Sequence, residues 1–136
     1  MTPLADTLRA ALAGRPEVRL AYLFGSAATG RLRSGSDVDV AVGFTSRPTL
    51  NGLAALSSDL ERASDRRVDL VDVDTAPPLL QREIVKEGRL LWATSDDERV
   101  AFETRALARY MDTAHLRHVQ RQYLHEWAET YRARTR

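Results

Sequence analysis

At 136 residues, 43% hydrophobic and 29% charged, the chain holds enough apolar material for one core and too little length for two comfortable domains. A net charge of +1 gives no electrostatic basis for direct nucleic-acid binding. The absence of cysteine excludes a disulfide framework and a thiolate zinc site.

No apolar run approaches the roughly 20 residues that span a bilayer, and Asp6 and Arg9 interrupt the weak apolar stretch at the N-terminus. Neither membrane insertion nor a secretory signal is expected, and the expected location is the cytoplasm. Nineteen of the 20 basic residues are arginine, a side chain suited to bidentate phosphate contacts. The whole of 1–136 reads as a single domain, with a core over about 15–94 and a C-terminal helical segment over about 95–134.

In chain order, Thr2 is placed to cap a helix with Pro3 at its first position. Leu4, Leu8 and Leu12 form its stripe, and Gly14 supplies its stop. The run VRLAYLF, Val18 to Phe24, reads as a buried strand bounded by Pro16 and Gly25. A polar loop follows, and SDVDVAVGF, from about Ser36 to Phe44, reads as a second strand. Leu50, Leu53, Leu56 and Leu60 recur at helical spacing, which predicts a crossover helix over Thr49 to Ala63.

Val68 to Val73 is a third short strand, and Asp74 or Thr75 ahead of Pro77 and Pro78 is expected to cap a helix ending near Gly88. Leu90 to Trp92 closes the β part. Ser95 with Glu98 resembles a capping box, and from there the pattern is helical. Val100, Leu107 and Met111 make one stripe; Leu116, Val119, Tyr123 and Trp127 make another, with a break near Asp112 and Thr113. The order of elements predicts a small α/β (α+β) domain, a mixed sheet of about four strands flanked by helices.

Alternation along the second strand puts Asp37 and Asp39 on one face and Val38, Val40 and Val42 on the other. Like charges so close repel unless a cation sits between them, and hard oxygen ligands select magnesium or manganese. Gly25 and Ser26 stand at the exit of the preceding strand, where glycine lets backbone approach a ligand and the following turn offers N–H groups and a hydroxyl to an anion. A phosphate cradle and a carboxylate pair joined by one loop suggest a nucleoside triphosphate site. A third carboxylate would complete it. Asp69 lies within an apolar segment where an unpaired charge is costly, whereas Asp72 and Asp74 near the strand end are explained by solvation or capping.

Gly25-Ser26, ten intervening residues and Asp37-Val38-Asp39 spell GS-x10-DxD. This pattern resembles the signature of the DNA polymerase β-like nucleotidyltransferase superfamily. The contexts SDVDVAV, VDLVDV and REIVKEGRLLW are similar to its minimal nucleotidyltransferase branch, which includes the MntA-type antitoxins. The resemblance implies the polymerase β-like fold, with Gly25 and Ser26 on the triphosphate and Ser36 counted with them as nucleotide-binding. It further implies Asp37, Asp39 and Asp69 as catalytic metal ligands, Mg2+ as cofactor and ATP as substrate. The implied partner is a cognate HEPN-type toxin ribonuclease, held in a hetero-oligomer, with AMP transferred to a hydroxyl, expected to be a tyrosine's, that silences it. Alternatives are nucleotidylation of a small molecule such as an antibiotic, and a non-catalytic antitoxin that masks its toxin by contact.

Arg31 and Arg33 lie in the loop within reach of phosphates, though loop arginines are commonly only solvated. His115 and His118, at i, i+3 with no third ligand, read as surface residues. Arg109 and His115 loosely fit the Arg-x(4–6)-His motif of HEPN ribonucleases, but arginine is so abundant here that the match is uninformative. Tyr123, Trp127 and Tyr131 form an aromatic stripe that fits either core packing or a partner's docking.

Overall fold

The computed structural model describes residues 3–33 and 35–135. Helix α1 (Pro3–Leu12) leads into β1 (Val18–Phe24), a 3-10 turn (Gly25–Ala27) and β2 (Val38–Phe44). Then follow α2 (Leu50–Ser64), β3 (Val68–Asp72), α3 (Pro78–Glu87), β4 (Arg89–Ala93), α4 (Asp96–Asp112) and α5 (Ala114–Thr135). Thr2, the expected cap of α1, lies outside the described residues.

The four strands form one mixed sheet in the order β3-β2-β1-β4. β1 pairs antiparallel with β2 and β4, and β2 pairs parallel with β3. Parallel pairing demands a crossover, which α2 provides between β2 and β3. Thr49 caps that helix, its Oγ1 accepting from the Gly52 N–H at 2.9 Å.

Alternation sorts the strands' side chains onto two faces. On one face Val38, Val40, Val42, Ala21 and Leu23 pack with Leu8 and Leu12 of α1 and Leu56 and Leu60 of α2. On the other, Leu20, Tyr22 and Ala41 pack with Ile84 of α3 and Phe102 and Ala106 of α4. Val18 joins Ala21 on the first face because the β1–β2 register shifts between Val18 and Leu20.

Polar ties anchor the second layer. The Tyr22 hydroxyl donates to Glu103 of α4 at 2.8 Å, and Arg99 grips the same carboxylate at 2.9 Å. Burial and the Glu103 charge hold the Tyr22 phenol protonated well above its ordinary range. The buried Gln81 amide donates to the Val73 carbonyl and accepts from Arg109 at 2.8 Å, which pins α4 to α3. The close of α3 admits only glycine: a Cβ on Gly88 would crowd the Ile84 carbonyl and come within 3.3 Å of the Leu23 carbonyl.

Several expectations are corrected. β2 begins at Val38, whose N–H donates to the Arg67 carbonyl, so Asp37 lies just outside the strand. Neither Asp74 nor Thr75 caps α3: Pro77 occupies the cap, Asp74 pairs with Arg19, and the Thr75 hydroxyl donates to the Asp72 carbonyl. The capping box at α4 is half formed, since Ser95 Oγ accepts from the Glu98 N–H while the Glu98 carboxylate turns to Arg19. Whether the apolar stripes of α4 and α5 are covered is open in the sequence, and in the structure Val100, Leu107, Met111, Leu116, Tyr123 and Trp127 are all exposed. Leu50, the first residue of the α2 stripe, is exposed as well. No helix among the described residues is long and apolar enough to cross a membrane.

Candidate active site

The site forms where β1 and β2 meet at one end of the sheet. Phe24, the last residue of β1, is the register partner of Asp39, and Asp39 is in turn the partner of Asp69 across the parallel β2–β3 ladder. Alternation puts Asp39 on the same face as Ala41, the face covered by α3 and α4. Register places Asp69 beside it on that face. The half-buried Asp39 thus sits between an exposed Asp69 at the sheet edge and the Gly25 turn.

Gly25 has φ +67°, a left-handed conformation that favours glycine. A Cβ at that position would fall 3.2 Å from the Asp39 carboxyl carbon and closer still to its Oδ2. The bare glycine backbone is therefore what lets the carboxylate lie against the turn. The turn is fixed from below: the Ala28 N–H donates to the Gly25 carbonyl, the Arg31 N–H to the Ser26 carbonyl at 2.9 Å, and the Arg89 guanidinium to the Ala28 carbonyl at 2.9 Å.

Electrostatics single out one group. The Asp39 carboxyl is pushed above the ordinary carboxylate range by burial, then by the charges of Asp69 and Asp37. Asp39 therefore feels the charge of each of the other two aspartates. Among the described residues, however, no group of three acidic or histidine side chains is gathered tightly enough to hold a metal as it stands. Asp37 is exposed ahead of the strand, and Asp69 is exposed on β3. The donor set, hard carboxylate oxygens grouped around Asp39, fits magnesium chemically.

Beside the turn opens a cleft of about 630 Å3, lined by Phe24, Gly25, Ser26, Thr29 and Arg31 and by Arg82, Glu83, Lys86 and Glu87 of α3. The α3 residues fall within REIVKEGRLLW, a stretch that carries the family resemblance without assigning them a role; a further local signal is the i, i+4 spacing of Arg82 with Lys86 and of Glu83 with Glu87. Arg31 thus reaches the site's cleft, while the backbone carbonyl of exposed Arg33 accepts from Ser36 and Arg66. Ser36 lines a separate depression with Gly35, Ser64, Asp65, Arg66 and Arg67. His115 and His118 are exposed on α5, and Arg109 is engaged with Gln81.

Comparison with known proteins identifies the family and the fold. The family model described as "Polymerase beta, Nucleotidyltransferase" matches residues 6–97. The chain is 37% identical over 99 residues, 71% of its length and 70% of the relative's, to the protein adenylyltransferase MntA of Shewanella oneidensis. Among solved structures, a toxin–antitoxin with AMP-PNP superposes with a TM-score of 0.75 at 28% identity, covering 88% of this chain and 98% of the other. A tri-AMPylated Shewanella oneidensis HEPN toxin in complex with MNT antitoxin gives a TM-score of 0.69 at 26% identity, covering 89% and 96%.

Proposed function

The chain belongs to the polymerase beta nucleotidyltransferase family, and from that premise we propose that it transfers AMP from ATP to a tyrosine hydroxyl of a cognate HEPN-type toxin, silencing it in the cytoplasm. The observation that carries the reading is the juxtaposition of the Gly25 turn at the end of β1 with Asp39 of β2 and its register partner Asp69 of β3. The likeness to a protein adenylyltransferase, at 37% identity, supports a protein acceptor over a small molecule. Residues 1–136 act in this reading as one domain with a helical C-terminal segment.

The residues divide the work. Gly25 and Ser26 receive the triphosphate, the glycine by letting the phosphates approach backbone and the serine through its hydroxyl. Ser36 is counted with the nucleotide on the family resemblance, although it lines a depression separate from the cleft. Asp37, Asp39 and Asp69 would hold Mg2+. When bound, the metal neutralises phosphate charge and lowers the barrier to displacement at phosphorus. Asp69, exposed at the open edge of the sheet, takes the proton from the attacking tyrosine oxygen as that oxygen bonds to the α-phosphorus. The bond from the α-phosphorus to the bridging oxygen breaks, and pyrophosphate leaves.

The test is incubation of the purified protein with magnesium, ATP labelled in its α-phosphate, and the neighbouring gene's product. Label on that protein, lost in an Asp37→Ala, Asp39→Ala double variant, is the expected result. Neutralisation that survives the double substitution would instead assign the protein to masking by contact.

A further inference from the structure

We propose that Lys86 and Arg82 of α3, together with Arg31, form the pocket that holds the β- and γ-phosphates and then the leaving pyrophosphate. The inference rests on the nucleotidyl transfer proposed above and adds to it a direction along the sheet. Asp39 occupies the middle position, with Asp69 of the edge strand on one side and the Phe24–Gly25 end of β1 on the other. Displacement at phosphorus keeps the attacking and leaving oxygens roughly in line. An acceptor hydroxyl arriving over Asp69 at the open edge therefore sends the leaving group across Gly25, into the cleft that α3 walls.

That cleft offers the charges a departing pyrophosphate needs. Lys86 is exposed there and has no hydrogen-bond or ion-pair partner among the described residues. One helical turn earlier, Arg82 stands with its guanidinium 4.7 Å from the Tyr110 ring centroid, a ring it shares with Arg117 at 3.7 Å. Stacking on an aromatic face leaves a guanidinium's N–H groups available to an anion, and Arg82 lines the cleft. From the loop side, Arg31 keeps its guanidinium at the rim through a 3.2 Å bond from Nε to the Thr29 hydroxyl.

Glu83 and Glu87 line the same cleft and oppose an anion. Their presence makes the site a weak holder of pyrophosphate, as a product site should be, and it supplies a control of opposite sign.

The experiment is calorimetric titration of the full chain, without toxin, by magnesium pyrophosphate, ATP and AMP. Lys86→Met and Arg82→Met are each expected to weaken pyrophosphate and ATP about tenfold, the loss of one charge-assisted contact, and AMP less than about twofold. Lys86→Arg should recover most of the loss, and Glu83→Gln should tighten pyrophosphate. Circular dichroism melts establish that each variant is folded. The pocket is overturned if the wild type fails to bind pyrophosphate, if the basic variants bind it as the wild type does, or if AMP weakens by the same factor. It is equally overturned if Glu83→Gln loosens pyrophosphate, which would make the cleft a cation or ribose site. A wild type that binds pyrophosphate in this pattern yet labels no protein acceptor would refute the proposed function and leave the pocket standing.

Discussion

The sheet and the C-terminal helix are built from similar apolar patterns and meet opposite fates. In β1 and β2, Val18, Leu20, Ala21, Val40, Ala41 and Val42 are fully buried, because α1 and α2 cover one face and α3 and α4 the other. In α5 the stripe of Leu116, Tyr123, Trp127 and Tyr131 is between 56% and 67% exposed, and the described residues include none that is buried. Helix α4 belongs to both regions, burying Phe102 and Ala106 while exposing Val100, Leu107 and Met111. Periodicity thus reports that a helix has an apolar face; whether anything covers that face depends on the rest of the chain.

The largest expected contrast falls where the covered sheet carries its charge. Asp39→Asn should lower AMP transfer by at least about a thousandfold, since it removes a carboxylate from the centre of the site. The same change should raise the thermal midpoint of the metal-free protein at neutral pH. The sign follows from linkage: the folded-state pKa of Asp39 is raised by burial and by Asp69 and Asp37, so its ionised form is disfavoured on folding. That penalty applies in full above the folded pKa and vanishes below the unfolded one, so the advantage of the asparagine should shrink as the pH falls through the acid range. A variant that loses activity and stability together would mean that Asp39 is a structural residue.

Next in size is Phe102→Ala. Phe102 is buried against Tyr22 with ring centroids 5.7 Å apart, and its truncation should cost about 3–5 kcal/mol in denaturant unfolding. Leu107→Ala, on the exposed side of the same helix, should change stability by less than about 0.5 kcal/mol. Equal costs for the two would show that the α4 stripe is covered after all.

These contrasts explain what was legible beforehand. The β1 run could be read to its true ends because both of its faces are apolar and Pro16 and Gly25 bracket it. The crossover helix α2 is legible in the spacing of Leu50, Leu53, Leu56 and Leu60, whereas that spacing does not mark Thr49 as its cap rather than its first residue. The spacing of Gly25-Ser26 and Asp37-Asp39 was visible because one loop joins them. The coverage of the α4 and α5 stripes was not visible, since it depends on elements distant in sequence. The alternating pattern runs back to Ser36, but β2 starts two residues later at Val38, because pairing begins only where Arg67 offers a carbonyl. The α3 wall of the cleft was hidden for the same reason: Arg82 and Lys86 come to Gly25 only through the packing of α3 on the sheet.

Gly25→Ala is a smaller perturbation of the fold and a large one of the site. The left-handed backbone costs a non-glycine residue about 1–2 kcal/mol, and the new methyl must displace the Asp39 carboxylate. The expected outcome is a folded protein with a modestly lowered midpoint and transfer reduced nearly as far as in Asp39→Asn. Normal transfer would show that the carboxylate does not work from its position against the turn.

The smallest expected effect is Trp127→Ala, and its near-nullity is the sharpest statement about α5. Removal of a large aromatic usually costs several kcal/mol when it leaves a cavity, but Trp127 is 59% exposed and leaves none. What it loses is its stacking on Tyr131, with centroids 5.7 Å apart and planes within 16°, a contact worth about 0.5–1.5 kcal/mol. Alanine is also the better helix former by up to about 0.7 kcal/mol. The two terms oppose each other, so unfolding of the isolated chain should shift by less than about 1 kcal/mol in either direction. A loss of 3 kcal/mol or more, of about the size expected for Phe102→Ala, would mean that α5 packs as the sheet's helices do, and the division between the two regions would fall.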